Sequence, residues 1–85
     1  MKSNQSQTVF LTNSTVTIET NSTENFRKEF SVYNSIGQLI TVTPVEVAMN
    51  KFQFDFSNYS SGIYFIRILE NNQSIVKRVI IQHDF

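Results

Sequence analysis

The stretch Lys51 to Ser57 reads KFQFDFS and alternates without a break, with Phe52, Phe54 and Phe56 on one parity and Lys51, Gln53, Asp55 and Ser57 on the other. Successive side chains of an extended chain point to opposite faces, so the segment is a strand with one buried and one wetted side. The same period marks Thr15 to Thr20, where Val16 and Ile18 oppose Thr15, Thr17 and Glu19, and Lys28 to Asn34, where Phe30 and Val32 oppose Glu29, Ser31 and Tyr33. In Ile63 to Glu70 both parities are substantially apolar, Tyr64, Ile66 and Ile68 against Phe65, Arg67 and Leu69, which suits a central strand. Thr8 to Thr12, Gln38 to Thr43 and Ser74 to Gln82 complete seven strand-like segments. Val45 to Asn50 reads either as a loop or as a brief extra strand.

Composition agrees with the periodicity. Ala occurs once and Leu three times, while Ile, Val and Thr supply 25 residues and Phe with Tyr another 11, the residues that fit a pleated, half-buried surface. Ser, Thr and Asn total 27 and fall largely between the apolar runs, where their side chains stabilise turns. A single sheet would leave an apolar face in water, so the expected fold is an all-β, seven-stranded, antiparallel, immunoglobulin-like β-sandwich. With 85 residues there is room for one core. The expected division is a linker over 1–7, the domain over 8–82 and a tail over 83–85, and the polar start suggests a domain excised from a longer chain.

Seven basic and seven acidic residues cancel, which removes the electrostatic drive on which nucleic-acid and anionic-membrane binding depend. Neither partner is expected, nor insertion into a membrane. The lack of cysteine rules out disulfides and thiolate chemistry. Scattered carboxylates offer no clustered cation site, so no metal and no cofactor is expected. No catalytic residue is assigned either. His83 is the sole histidine and reads as a solvated tail residue, while Asp55 and Glu19 point outward from strands. The Asn-x-Ser/Thr triplets at Asn4, Asn13, Asn21, Asn58 and Asn72 are what nine asparagines in a Ser/Thr-rich chain produce by chance.

Turn chemistry orders the strands. Asn13-Ser14 fits a hairpin between the first two, and Asn71-Asn72 fits another before the last, because Asn tolerates the left-handed conformation. The chain's two glycines, Gly37 and Gly62, both stand at strand junctions, and Gly37 is expected at positive φ. Lys77 and Arg78 are neighbours on the last strand and would face opposite sides unless a bulge turned both outward. Charge on a terminal strand discourages sheet-to-sheet association, and it can also contact a receptor.

Three pieces of this pattern, FSVYNSIGQL over 30–39, FQFDFSNYSSGIYFIRI over 52–68 and SIVKRVII over 74–81, resemble the C-terminal sorting domains of type IX secretion cargo. Asn34, Gly37 and Gln38 match the first part of the family pattern, Ser57, Gly62, Ile63 and Tyr64 the second, and Lys77, Arg78 and Val79 the third. The chain departs from that pattern in having no proline before Pro44 and in continuing to His83-Asp84-Phe85. The resemblance implies a folded export tag of a Bacteroidetes-type bacterium, carried with its cargo from the periplasm through the outer membrane by the type IX machinery to the surface or medium. A sortase-type surface peptidase would then remove it, cutting at or upstream of residues 1–7. Weak self-association through strand edges is also expected. The alternative is a carbohydrate-binding or adhesive sandwich, for which Tyr33, Tyr59 and Phe65 would supply an aromatic platform. On the sequence reading, Phe65 lies in the opposite sheet layer from Tyr33.

Overall fold

The computed structural model describes residues 7–12, 14–20, 28–70 and 72–83, with side chains described from Ser14 onward. Eight strands run in chain order: β1 (Gln7–Thr12), β2 (Thr15–Thr20), β3 (Lys28–Tyr33), β4 (Leu39–Ile40), β5 (Val45–Ala48), β6 (Lys51–Asp55), β7 (Gly62–Glu70) and β8 (Gln73–Ile81). All seven expected segments carry strand. The undecided stretch supplies a further short strand, β5, and there is no helix among the described residues. The sheets are β1-β2-β6-β5 and β4-β3-β7-β8, antiparallel throughout. This is the strand order of an immunoglobulin-type sandwich, with β4 as a short extra strand beside β3.

Alternation decides which side of each strand enters the core. Val16, Ile18, Phe54 and Phe56 from one sheet meet Val32, Tyr64, Ile66, Ile68, Val79 and Ile81 from the other, all of them buried. An aromatic seam joins the layers: Phe30 of β3 lies 4.8 Å from Phe52 and 5.3 Å from Phe54, and Phe56 lies 5.0 Å from Tyr64. Tilted and edge-on pairs of this kind add about 0.5–1.5 kcal/mol each beyond the area they bury. At one end of the sandwich the Lys28 ammonium stands 3.7 Å from the Glu70 carboxylate and donates to Asn50 Oδ1 at 3.3 Å.

The hairpins form at Ser14 and Asn72 as expected, and a further one forms at Asn50. Ser14 (φ +70), Asn50 (φ +61) and Asn72 (φ +64) take left-handed conformations in the β1–β2, β5–β6 and β7–β8 connections. Asn13, Asn71 and the proposed linker residues 1–6 lie outside the described residues, whereas Gln7 opens β1. The segment read as a strand over 38–43 shortens to β4, because Gln38 belongs to the preceding turn and residues 41–44 cross from one sheet to the other.

Candidate recognition surface

The turn from β3 to β4 is knotted by one side chain. Asn34 Oδ1 accepts from the amides of Ile36 at 3.2 Å and Gln38 at 2.9 Å, and its Nδ2 donates to Gln38 Oε1 at 2.9 Å. A carboxamide suits this place because it both accepts and donates. The main chain adds Asn34 N–H to the Gln38 carbonyl (2.9 Å) and Gly37 N–H to the Asn34 carbonyl (3.0 Å). Gly37 sits at φ +86, and an added Cβ would meet nothing within 4 Å, so backbone conformation rather than space requires glycine here. The turn leaves Ile36 and Leu39 exposed.

The corner between β6 and β7 uses local bonds of a different kind. Asp55 Oδ1 accepts from the Ser57 amide at 2.9 Å. That bond, reinforced by the Ser57 hydroxyl, holds the Asp55 carboxyl below its ordinary value. Tyr59 turns its ring toward Phe56 and Tyr64 and donates its hydroxyl to the Thr41 carbonyl. Tyr64, buried at the start of β7, donates its hydroxyl to the Ser60 carbonyl at 2.6 Å. A tyrosine bonding back to the backbone four residues upstream at this corner is the tyrosine corner of immunoglobulin-type domains. Gly62, at φ +157, also holds a backbone conformation that L side chains rarely adopt, although an added Cβ would meet nothing within 4 Å.

His83 is not a solvated tail residue. Its main-chain N–H donates to Ser61 Oγ at 3.2 Å, its Nδ1 lies 2.7 Å from Ser14 Oγ, and its Nε2 bonds to the Tyr59 carbonyl. A carbonyl only accepts, so Nε2 carries a proton, and in the neutral ring Nδ1 then accepts from the Ser14 hydroxyl. The ring therefore fastens the chain after β8 to the β1–β2 turn and to the β6–β7 loop. Nothing in the sequence near His83 announces this, since Ser14 is 69 residues away.

These loops enclose a shallow cleft of about 290 Å³ lined by Asn34, Ser35 and Ile36 on one side and Ser60 to Tyr64 on the other. The first two parts of the sequence pattern thus share one end of the sandwich, although Ser57, Gly37 and Gln38 stand outside the cleft itself. The third part adjoins it through the β7–β8 ladder, where Tyr64 pairs with Val79 on the inner face and Ile63 with Ile80 on the outer. The ladder runs unbroken from Gly62↔Ile81 to Glu70↔Gln73, so no bulge turns Lys77 and Arg78 the same way. Lys77 shares the inner side with Val79 and is half-buried, while Arg78 lies outward and exposed. Ser60, Ser61 and Ile36 complete the surface without having been singled out in the sequence.

The aromatic platform does not assemble. Tyr33 and Phe65 are cross-strand partners on the same outer face rather than in separate layers, because β3 pairs directly with β7. Tyr59 turns instead toward the core aromatics.

What fold and surface define together is an immunoglobulin-type sandwich whose distinctive residues gather at one end and along one edge strand. Over residues 12–82 the chain matches the family described as the secretion system C-terminal sorting domain, and it belongs to that family. No curated protein and no solved structure matches it. Membership gives the function: the domain is a C-terminal sorting signal for type IX secretion, acting through that machinery to bring its protein across the outer membrane to the surface or medium. The family sorts and is not enzymatic.

Proposed function

We propose that the machinery reads the domain in its folded state, through the end of the sandwich where the Asn34 turn meets the Gly62-Ile63-Tyr64 start of β7 and along the adjoining edge strand β8. What supports this reading is the juxtaposition itself: segments about 25 residues apart in the chain line one cleft, with exposed Ile36 and Ile63 at its rim. In this role Asn34, Gly37, Ser57, Gly62 and Tyr64 shape the surface, and Gln38, Ile63, Lys77 and Arg78 are read, with Val79 anchoring β8 to the core. The chain is substrate, not catalyst, for a sortase-type surface peptidase that cuts the amide backbone at or before residues 1–7. The source is a Bacteroidetes-type bacterium, and isolated copies self-associate only weakly.

The test is a fusion. Residues 1–85 follow a periplasmic signal and a fluorescent reporter in a bacterium with the type IX apparatus, and the reporter is expected outside the cell. Retention in the periplasm of wild-type cells rejects sorting. Ile36→Asp and Ile63→Asp should lower export while leaving the melting temperature within a few degrees, and undiminished export would remove the cleft from the recognition surface.

A further inference from the structure

Three edge strands with described side chains differ sharply in how they are protected. β5 spans four residues, follows Pro44 and breaks register between Glu46 and Ala48, and β4 spans only two residues. Short length, a preceding proline and a bulge are the usual devices that stop an edge from templating another strand. β8 has none of these three: it spans nine residues, has no proline before it among the described residues of its hairpin, and pairs with β7 without a shift. No strand among the described residues covers its outer side, so alternate residues turn their N–H and C=O groups outward, unpaired by any strand.

Charge narrows what can occupy that edge. Lys77 and Arg78 stand at the middle of β8, opposite Ile66 and Phe65, and neither has an ion-pair partner among the described residues. β8 contains no Asp or Glu. A second copy pairing antiparallel at full overlap would set Lys77 against Lys77, and offsets of one or two residues toward the C-terminal end would set Lys77 against Arg78 or Arg78 against Arg78. Like charges directly opposite are destabilising, while the opposite offsets set Lys77 against Val76 or Ile75 and gain no charge pairing. The same cations reward a strand with carboxylates at those places. Because Lys77 and Arg78 face opposite sides, the carboxylates must occupy two consecutive positions of the incoming strand.

We propose that the free edge of β8 accepts an extended segment of another protein as a fifth strand of its sheet, with adjacent acidic residues opposite Lys77 and Arg78 and apolar residues alongside Val76 and Ile80. This rests on the sorting reading, in which the secretion machinery supplies the segment. Main-chain bonds hold the added strand, the acidic pair sets its register, and the cations of β8 favour that strand over a second copy.

A nine-residue probe peptide of alternating Val and Thr with a central Glu-Asp pair tests this on the 85-residue chain. Anisotropy gives the affinity, and amide exchange reports on β8. Slowed exchange along β8 is expected, and N-methylation of one alternate set of peptide amides should abolish binding while the other set is tolerated. Replacing the acidic pair by Lys-Lys, or reversing charge in Lys77→Glu with Arg78→Glu, should weaken binding about tenfold or more, and combining both changes should restore it. Binding insensitive to both N-methylation patterns, binding only to anionic phosphatidylglycerol vesicles, or no slowing of β8 exchange overturns the proposal. So does a dimer at micromolar concentration that protects β8. Export of the wild-type fusion is read separately: a fusion that is exported although the peptide fails to bind sinks the added strand and leaves sorting intact, whereas a retained fusion sinks sorting.

Discussion

The corner from Ser57 to Tyr64 and the middle of β8 both carry the family's sequence pattern, yet their side chains do opposite things. At the corner Ser57 and Tyr64 are spent on the fold: Tyr64 is buried against Phe56 and bonded to Ser60, and Ser57 bonds Asp55. In β8 the charged groups of Lys77 and Arg78 bond nothing among the described residues. A recurring residue in an address label can therefore be there to build the label or to be read. Export alone does not separate the two, because an unfolded tag and a misread tag both fail. Stability measured beside export does.

The largest effect is expected at Tyr64. Truncation in Tyr64→Ala removes a buried ring and should cost about 3–5 kcal/mol, a large share of the ~5–15 kcal/mol that typically holds a domain together. Denaturant titration should show the loss, and export should fall with it. Tyr64→Phe keeps the ring and loses only the bond to Ser60, about 1 kcal/mol, with export retained. If Tyr64→Ala melts like the wild type while export fails, the corner is read rather than built, and the contrast with β8 collapses.

Next comes Gly37→Val. A β-branched residue forced to φ +86 should cost about 1–3 kcal/mol even though space is open. Gly37→Asn should cost less, because Asn enters the left-handed region more readily. Equal melting temperatures for the two variants would mean that the turn relaxes to another conformation. On β8, by contrast, Lys77→Glu and Arg78→Glu should stay within about 0.5 kcal/mol of wild type while export declines.

His83→Ala sharpens the boundary between the two regions, since the latch joins the end of β8 to the corner. Loss of the ring bonds to Ser14 and Tyr59 should cost about 1–2 kcal/mol in thermal melting. It should also speed amide exchange at the β1–β2 turn, and an unchanged exchange pattern there would mean that the latch does not hold the sheets together.

How much of this was legible varies with how local the cause is. The phenylalanines of β6, the inward Val16 and Ile18, and the turns at Gly37 and Asn72 follow from period two and from φ preference, both written within a few residues, whereas at Ser14 the sequence showed the hairpin but not the left-handed serine. β5 was ambiguous because all four of its residues are exposed, so there is no burial alternation to read. The strand over 38–43 was read too long because the crossing between sheets is a tertiary demand on residues of good strand propensity. Tyr33 beside Phe65 depends on which strands pair, and His83 on partners far away in the chain; alternation within a strand carries neither. The family pattern named residues that gather at one end of the sandwich and along β8, but it did not say which of them face inward.

The smallest expected effect belongs to Asp55, and its sign is set by the Ser57 bonds. The Ser57 amide, then its hydroxyl, favour the ionised carboxylate, so the folded-state pKa lies below the unfolded one. Such a group adds stability above the unfolded pKa and loses that increment as pH falls through the folded value, here below about pH 4. Asp55→Asn should therefore melt slightly lower than wild type at pH 7, and the two curves should converge as pH falls through the folded value and the carboxyl becomes protonated in both states. Because Asp55 is fully exposed, solvent screens the charge and the gap should be the least of the series. A gap that does not shrink as the pH is lowered would mean that the carboxamide disturbs the turn itself, which would make Asp55 part of the corner's construction and not only a surface charge beside it.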